Sequence, residues 1–383
     1  MPKERQYAIV FAGGGTGGHI VPIIAIAREI RKINPTLFTF AYLGPRDTFE
    51  DLLLSQEGIT THYIAAGKVR RYWGIGSFLQ NLLDVFVKTP LGILQAFYHL
   101  FFLAPDVIVS KGGYGSLPVV LASRLFGIPL FLHESDIAPG LSNRIVAKFA
   151  LEIFVSFPNT LHVPAKNLIL VGNPIRQEML AGSKDVARDI FHLEEKKPLL
   201  LFLGGSQGST PLNDMLLAIL NDILNDFEII HQTGTGTFSQ VKKEARVVVQ
   251  EDRWLCYHPV SFLKEQELRH AFASADFVIS RAGSGFIFEI AALGKPSILI
   301  PLPHAAQNHQ AQNAYAYAKT GACIVMEEAN LTPRFFLEKL RTLFEDPQEQ
   351  DRMRVAALAF AKPNAARIIA HYVADYLSSS IKP

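Results

Sequence analysis

The sequence predicts an α/β protein built from two doubly wound, parallel-sheet domains. Short apolar runs rich in β-branched residues alternate with helical segments along all 383 residues. Four of the apolar runs end in a glycine-rich turn that opens a helix, at residues 12–18, 111–116, 204–208 and 281–285. Alternating strands and helices favour parallel sheets, and a chain of this length favours two domains.

The first glycine turn carries the clearest chemical signal. A strand predicted at Tyr7–Ala12 runs into GGGTGGH, residues 13–19, and a helix follows. A glycine turn at a helix N-terminus suits an anionic ligand, although a tight turn with no ligand is the alternative. The turn also fits a dinucleotide fingerprint, but the first acid after the strand Phe38–Gly44 is Asp47, too late to hold a ribose. The helix dipole favours a neutral, proton-accepting ring at His19.

The strand pattern restarts after Gly172–Arg176, which predicts a domain boundary there. The predicted domains cover residues 1–173 and 174–363. Ligands of parallel sheets bind at the carboxyl ends of the strands, so we expect the two domains to face each other across a cleft. Other predicted strands are Thr61–Ala66, Asp106–Ser110, Pro129–Leu132, Leu151–Phe157, Asn167–Val171, Pro198–Leu203, Glu228–Gln232, Trp254–His258, Asp276–Ser280 and Ser297–Pro301, with helices from there to the end.

An apolar stretch, Gly74–Pro105, is rich in Phe and Leu and follows a cluster of basic and aromatic residues. Asp84, Lys88 and Pro90 interrupt it, so it is predicted to form two helices with no uncharged run long enough to span a bilayer. Two such helices suit either a bilayer interface or an ordinary core.

Charge and cysteine content exclude several classes of function. The formal net charge is +2, which gives no indication of a nucleic-acid partner. The two cysteines, Cys256 and Cys323, are far apart and lack the spacing of a zinc site or a disulfide framework.

Seven motifs together resemble one known family. They are GGGTGGH at 13–19, GGYGSLP at 112–118, HES at 133–135, GNPIR at 172–176, GGSQG at 204–208, RAGSG with a following Glu at 281–289, and HQ–NA at 309–314. In this order, and over essentially the whole chain, they resemble the MurG family of bacterial N-acetylglucosaminyltransferases.

The resemblance implies a GT-B fold, whose C-terminal helix, residues 364–383 here, packs back onto the N-terminal domain. It implies inverting transfer of GlcNAc from UDP-GlcNAc to the C4 hydroxyl of MurNAc in lipid I, an undecaprenyl-pyrophosphoryl-MurNAc-peptide. The product would be the β-1,4-linked lipid II of peptidoglycan synthesis, made at the cytoplasmic face of the bacterial plasma membrane.

The resemblance also implies site residues, with His19 as the catalytic base. The implied donor-binding residues are Thr16, Gly17, Gly18, Asp136, Arg176, Ser206, Ser284, Gly285, Phe286, Ile287, Phe288, Glu289 and Gln310. The implied acceptor-binding residues are Gly113, Tyr114 and Glu134. The helix start at 284–289 would face the diphosphate, and Glu289 would accept from the ribose hydroxyls. Uracil would be contacted from near Phe262 or Leu263.

No cofactor and no strict metal requirement are expected. Glycine turns at helix N-termini can hold a diphosphate without a metal, and the sequence has no DxD-type acidic cluster. Glu134 and Asp136 are close enough in sequence to keep a magnesium site as an alternative. Three residues depart from the family pattern. The family commonly has Asn where this chain has Asp136 and often has Thr where it has Phe286. Some members have Gln where it has His309.

Two other functions remain open from the sequence. One is a different GT-B enzyme, either a nucleotide-sugar epimerase or a transferase similar to lipid A disaccharide synthase. The apolar stretch counts against an epimerase, which needs no membrane surface. The other is a non-catalytic binder of UDP-sugars or lipids, supported by Asp136 and Phe286. Arg281 and His133 are expected to have structural roles.

Overall fold

A computed structural model describes residues 6–379 of the chain, apart from 15–16, 69–74, 164–166, 195, 206 and 304. The chain divides into two compact units. Unit 1 runs to Arg176 and includes the chain from Pro363 onward, and unit 2 runs from Gln177 to Lys362. The first division therefore falls after Arg176, whereas the sequence places it after residue 173.

Each unit contains one fully parallel sheet. The seven strands of unit 1 have the order β3-β2-β1-β4-β5-β6-β7: β1 Tyr7–Ala12, β2 Phe38–Gly44, β3 Thr60–Tyr63, β4 Val107–Ser110, β5 Leu130–Glu134, β6 Glu152–Val155 and β7 Leu168–Leu170. The six strands of unit 2 have the order β10-β9-β8-β11-β12-β13: β8 Leu199–Leu203, β9 Glu228–Gln232, β10 Tyr257–Val260, β11 Phe277–Ser280, β12 Ser297–Leu299 and β13 Cys323–Val325. Both orders are doubly wound, as predicted.

Helices cover the sheets. In chain order they are α1 Gly17–Ile33, α2 Thr48–Gln56, α3 Ile75–Leu83, α4 Thr89–Leu103, α5 Leu117–Leu125, α6 Leu141–Val146, α7 Lys184–Phe191, α8 Thr210–Ile223, α9 Phe238–Val248, α10 Glu265–Ser274, α11 Ser284–Ala292, α12 His309–Ala318, α13 Pro333–Glu345, α14 Pro347–Phe360 and α15 Ala365–Ser379. α15 shares a buried apolar cluster with α1 and β1, so the C-terminal helix is part of the core of unit 1.

The apolar stretch forms one continuous helix instead of the two predicted. α3 continues through a π-helical turn, Asp84–Lys88, directly into α4. Pro90 lacks an N–H and its ring crowds the preceding turn, so a wider turn just before it lets the helix continue. Among the described residues, one helical segment, Phe78–Leu103, is long and apolar enough to cross a membrane by length and composition.

Two further expectations from the sequence are wrong in unit 2. Trp254 lies in a short 3₁₀ helix, Glu251–Cys256, and β10 begins only at Tyr257. The chain after His309 is not entirely helical, because β13 adds an edge strand beside β12. A three-residue strand has too few residues to show an alternating pattern, which is why the sequence does not reveal it.

Candidate active site

In unit 1, His19 lies in the first turn of α1, immediately beyond the carboxyl end of β1. The turn that follows the neighbouring strand β4 comes against it. A Cβ placed on Gly113 would lie 3.2 Å from His19 Nε2 and 2.8 Å from Gly14 O. Gly113 also has φ +81, a conformation that favours glycine. The two glycine turns therefore meet at His19 because their strands are neighbours in the sheet.

Asn143 fixes the second glycine turn, Gly112–Ser116, through a hydrogen bond. Asn143 Oδ1 accepts a hydrogen bond from Gly113 N at 2.9 Å, and its Nδ2 donates to Glu134 Oε2 at 2.6 Å. Glu134 Oε1 accepts from Asp136 N at 2.8 Å. Both carboxylate oxygens of Glu134 thus bind protein donors, and the side chain is only 3% exposed. This geometry gives Glu134 a supporting role beneath the turn, and its contact with an acceptor stays a prediction.

Tyr114, in the same turn, is half-buried. Lys68 Nζ lies 5.9 Å from the centre of its ring, within reach of a cation–π interaction. Lys68 belongs to the segment that anchors the apolar helix, because its N–H donates to Asp84 Oδ2 at 3.3 Å. The predicted acceptor turn and the apolar helix are therefore linked through a single segment, residues 64–68.

A buried lysine lies beneath these turns. Lys111 directly follows β4, and its Nζ contacts His133 Nδ1 at 2.8 Å and Asn173 Oδ1 at 3.4 Å, and donates to Ser135 Oγ. His133 Nε2 lies 2.9 Å from Gly172 O, which can only accept, so this nitrogen carries the ring proton. Nδ1 is then the acceptor for Lys111, and His133 has the structural role expected from the sequence.

Burial and charge shift the pKa values of this cluster: the pKa values of the two bases fall, and that of the acid rises. Burial lowers the pKa of Lys111 to about 8, while Glu134 and Asp136 oppose the change. Burial, and then the charge of Asp136, raise the pKa of Glu134 to about 7. Burial and the Lys111 charge hold the pKa of His133 well below its usual value, which keeps the ring neutral.

Two predicted donor contacts of unit 1, Asp136 and Arg176, are half-buried. Gly17 and Gly18 open α1 beside His19. Thr16 and Ser206 lie outside the described residues.

In unit 2, the start of α11 has the geometry of an anion site. Gly283 is the N-cap and no side chain caps the helix. The first bond within the helix is Ile287 N to Gly283 O at 3.1 Å, so the N–H groups of Ser284, Gly285 and Phe286 have no acceptor inside it. Open space surrounds a Cβ built on Gly285. An anion could bind these three N–H groups, and the diphosphate contact of this segment stays a prediction.

The remaining predicted donor residues occupy α11 and α12. The side chains of Ile287 and Phe288 are buried, and their contact with the donor stays a prediction. Glu289, the next residue, is also buried, at 4% exposure. Gln310 lies at the start of α12, where its Oε1 accepts from Leu302 N at 3.0 Å. Its NH₂ group is therefore the part of the amide that would face a sugar.

Gln232 joins the third glycine turn to the segment expected to contact uracil. Its Nε2 donates to Gly205 O at 2.8 Å, and its Oε1 accepts from Leu263 N at 3.0 Å. Arg281 has the loop-supporting role that the sequence predicts: its guanidinium donates to Pro301 O at 3.3 Å and to Ser209 Oγ at 2.6 Å.

Both halves of the chain match one known family. The model of the glycosyltransferase family 28 N-terminal domain matches residues 9–155, and that of the C-terminal domain matches residues 199–369. A relative from Clostridium kluyveri, a UDP-N-acetylglucosamine--N-acetylmuramyl-(pentapeptide) pyrophosphoryl-undecaprenol N-acetylglucosamine transferase, is 35% identical over 95% of this chain and 99% of its own. The chain belongs to glycosyltransferase family 28.

Solved structures agree with the family 28 assignment. The crystal structure of Acinetobacter baumannii MurG has a TM-score of 0.72 to this chain at 25% identity, covering 97% of this chain and 99% of that one. The predicted GT-B fold and the resemblance to the MurG family are thereby confirmed. A UDP-GlcNAc 2-epimerase from Neisseria meningitidis, bound to UDP-GlcNAc, has a TM-score of 0.66 at 14% identity, covering 97% of this chain and all of its own. At that identity the likeness shows the fold alone, so the comparisons favour the transferase over the epimerase alternative.

Sequence reasoning about this family 28 chain missed three polar residues: Lys111, Asn143 and Gln232. Each is buried and acts by holding a glycine turn or the segment beside it. For Lys111 the sequence contains one signal of a role, because this residue directly precedes a glycine turn. Asn143 and Gln232 act through partners about 30 residues distant in the chain, which local patterns cannot reveal.

Proposed function

We propose that this family 28 enzyme transfers GlcNAc from UDP-GlcNAc to the C4 hydroxyl of MurNAc in lipid I, with inversion, to form β-1,4-linked lipid II for peptidoglycan synthesis. The observation that carries the proposal is the meeting of two glycine turns at His19 in a chain 35% identical, over nearly its full length, to a transferase of that name. We assign the acceptor to unit 1 and UDP-GlcNAc chiefly to unit 2.

The chemistry requires a base for the acceptor and a stable leaving group. A sugar hydroxyl is weakly acidic, so a neutral imidazole at His19 would take its proton as the oxygen attacks the anomeric carbon. UDP then departs from the opposite face of that carbon, which inverts its configuration. Gly113 and Tyr114 support acceptor binding because their turn adjoins the imidazole.

Unit 2 supplies groups that match UDP. The unused N–H groups at 284–286 and the positive end of α11 would stabilise the diphosphate as charge develops on it. Glu289 would accept from the ribose hydroxyls, and the Gln310 amide would bind the sugar. The proposed donor set is completed by Thr16, Gly17, Gly18, Asp136, Arg176, Ser206, Ile287 and Phe288.

A metal ion is not part of the proposed mechanism, because the helix N-terminus supplies the positive potential that the leaving diphosphate needs. Among the described residues, no group of three or more His, Cys, Asp or Glu side chains could hold a metal ion. Assaying transfer with and without EDTA tests this point, and a large loss of activity with chelator would contradict it.

We further propose that the helix from α3 to α4 docks on the cytoplasmic face of the plasma membrane, where lipid I is held. Large apolar side chains project from it, with Phe101 62% and Phe102 68% exposed. Its other face is fixed to unit 1: a Cβ on Gly92 would lie 1.8 Å from Ala65 O, and Gln95 Oε1 accepts from Ala65 N at 2.6 Å. A helix held along one face suits insertion into the interface rather than a span across the bilayer.

Vesicle flotation tests the docking surface. F101S/F102S should reduce binding to anionic vesicles by roughly tenfold or more, because each Phe contributes about 1.5–3 kcal/mol when fully buried in an apolar phase. V247S, at an 86% exposed apolar residue of α9 in unit 2, is the matched control. Equal binding by the two variants would place the membrane contact elsewhere.

A donor screen tests the reaction itself. Incubation with a short-chain lipid I analogue should give product with UDP-GlcNAc and much less with UDP-GalNAc or UDP-glucose. Binding of UDP-GlcNAc without turnover would favour the non-catalytic alternative.

A further inference from the structure

The buried ammonium of Lys111 has uncharged hydrogen-bond partners. His133, Ser135 and Asn173 surround it, and the His133 ring is neutral. Lys111 is 2% exposed. A buried cation is costly unless negative charge lies nearby. The position of Lys111 therefore calls for a source of negative charge beyond these three partners.

The carboxyl end of β5 and the residues directly after it supply that charge. Glu134 and Asp136 alternate with His133 and Ser135, whose side chains contact the Lys111 ammonium, and both acids attract it electrostatically. The two acids also repel each other, and the N–H of Asp136 donates to Glu134, which keeps them close. A buried carboxylate such as Glu134 stays ionised beside another acid only at a large cost unless a cation is near.

We propose that Lys111 is a positioning residue whose ammonium balances Glu134 and Asp136, so that an acid can stand at position 136 of the donor site without repelling the diphosphate. The role rests on the proposed transferase function, in which Asp136 faces UDP-GlcNAc. Lys111 acts through these acids and does not itself touch the substrate.

The same charge balance supports the acceptor side. Glu134 binds Asn143, and Asn143 holds the N–H of Gly113 beside His19. A Glu134 carboxylate that takes up a proton accepts the Asn143 hydrogen bond more weakly. Lys111 thereby connects the donor-facing acid to the turn that adjoins the proposed base.

A double-mutant cycle tests the proposal. K111M removes the charge and keeps the length of the side chain, and D136N removes the acid that Lys111 balances. In the presence of Asp136, K111M should raise the KM for UDP-GlcNAc by roughly tenfold or more, because the uncompensated negative charge of the acids would repel the diphosphate. In the D136N background, the same substitution should change KM by less than about threefold.

K295M is the matched control. Lys295 is half-buried, and burial lowers its pKa to about 8 as it does for Lys111, but its Nζ donates to Ala273 O and Ala275 O in unit 2. Its substitution should have the same effect in both backgrounds. Thermal unfolding of all the variants provides a readout that needs no activity, and K111M should destabilise the protein more in the Asp136 background than in the D136N background.

Three outcomes separate the possibilities. Rescue of KM and of the melting temperature by D136N supports charge balance. An equal loss in both backgrounds, including failure of K111M and K111M/D136N alike to fold, would overturn it, since Lys111 would then matter only for packing and neutral hydrogen bonds. A wild-type protein inactive with every donor rejects the proposed function, and the unfolding cycle still decides the role of Lys111.

Discussion

The contact between the two glycine turns of unit 1 gives a sharp test of the site, through substitution of Gly113 by alanine. A Cβ at this position would lie 2.8 Å from Gly14 O and 3.2 Å from His19 Nε2. Contacts under 3.0 Å to a backbone oxygen force movement, and the turn must shift away from His19 or push it aside. The φ of +81 adds backbone strain for any residue with a Cβ.

The magnitude follows from these two costs. A left-handed conformation costs about 1–2 kcal/mol for a residue other than glycine, and a forced local distortion costs about 1–3 kcal/mol more. G113A should therefore lower the free energy of unfolding by about 2–5 kcal/mol. A displacement of the proposed base approaching 1 Å should reduce kcat by about 100-fold. UDP affinity should fall much less than kcat, because the proposed diphosphate contacts at residues 284–286 belong to unit 2.

The variant G127A separates the cost of backbone strain from the cost of the steric clash. Gly127 follows α5 with φ +65, and open space surrounds a Cβ built there. This control carries the backbone strain alone, so it should lose about 1–2 kcal/mol of stability and keep full activity. Urea unfolding measures the stability of both variants, and transfer to a short-chain lipid I analogue measures kcat. Activity of G113A within about threefold of G127A would refute the proposed proximity of this turn to the reacting groups.

Two further predictions concern the proposed catalytic and donor residues. H19A should lower kcat by about 100-fold or more, the usual effect of losing a general base, with UDP binding by calorimetry nearly intact; a kcat within about threefold of wild type would remove His19 from that role. E289A should weaken UDP binding by about 1.5–3 kcal/mol, the value of hydrogen bonds to a charged acceptor, and unchanged affinity in the same calorimetric titration would assign Glu289 to the packing of α11.

The sequence alone determined most of the fold. Strands such as β1 and β8 are continuous apolar runs whose burial is visible locally, and glycine turns mark their carboxyl ends. The alternation of strands with helices then specified parallel sheets, and the motif order specified the family. His19 and the 284–289 segment could be singled out because each is defined by its immediate neighbours in the chain.

Only the tertiary structure decided how these parts are held. The π-turn at Asp84–Lys88 reconciles Pro90 with a continuous helix, and Gly67 leaves the space that this turn needs. Lys111, Asn143 and Gln232 are ordinary polar residues in the sequence, and they acquire roles because the sheet order places their partners beside them. Local periodicity reports which face of an element is buried, whereas the pairing of buried polar groups depends on contacts between distant segments, which form only when the chain folds.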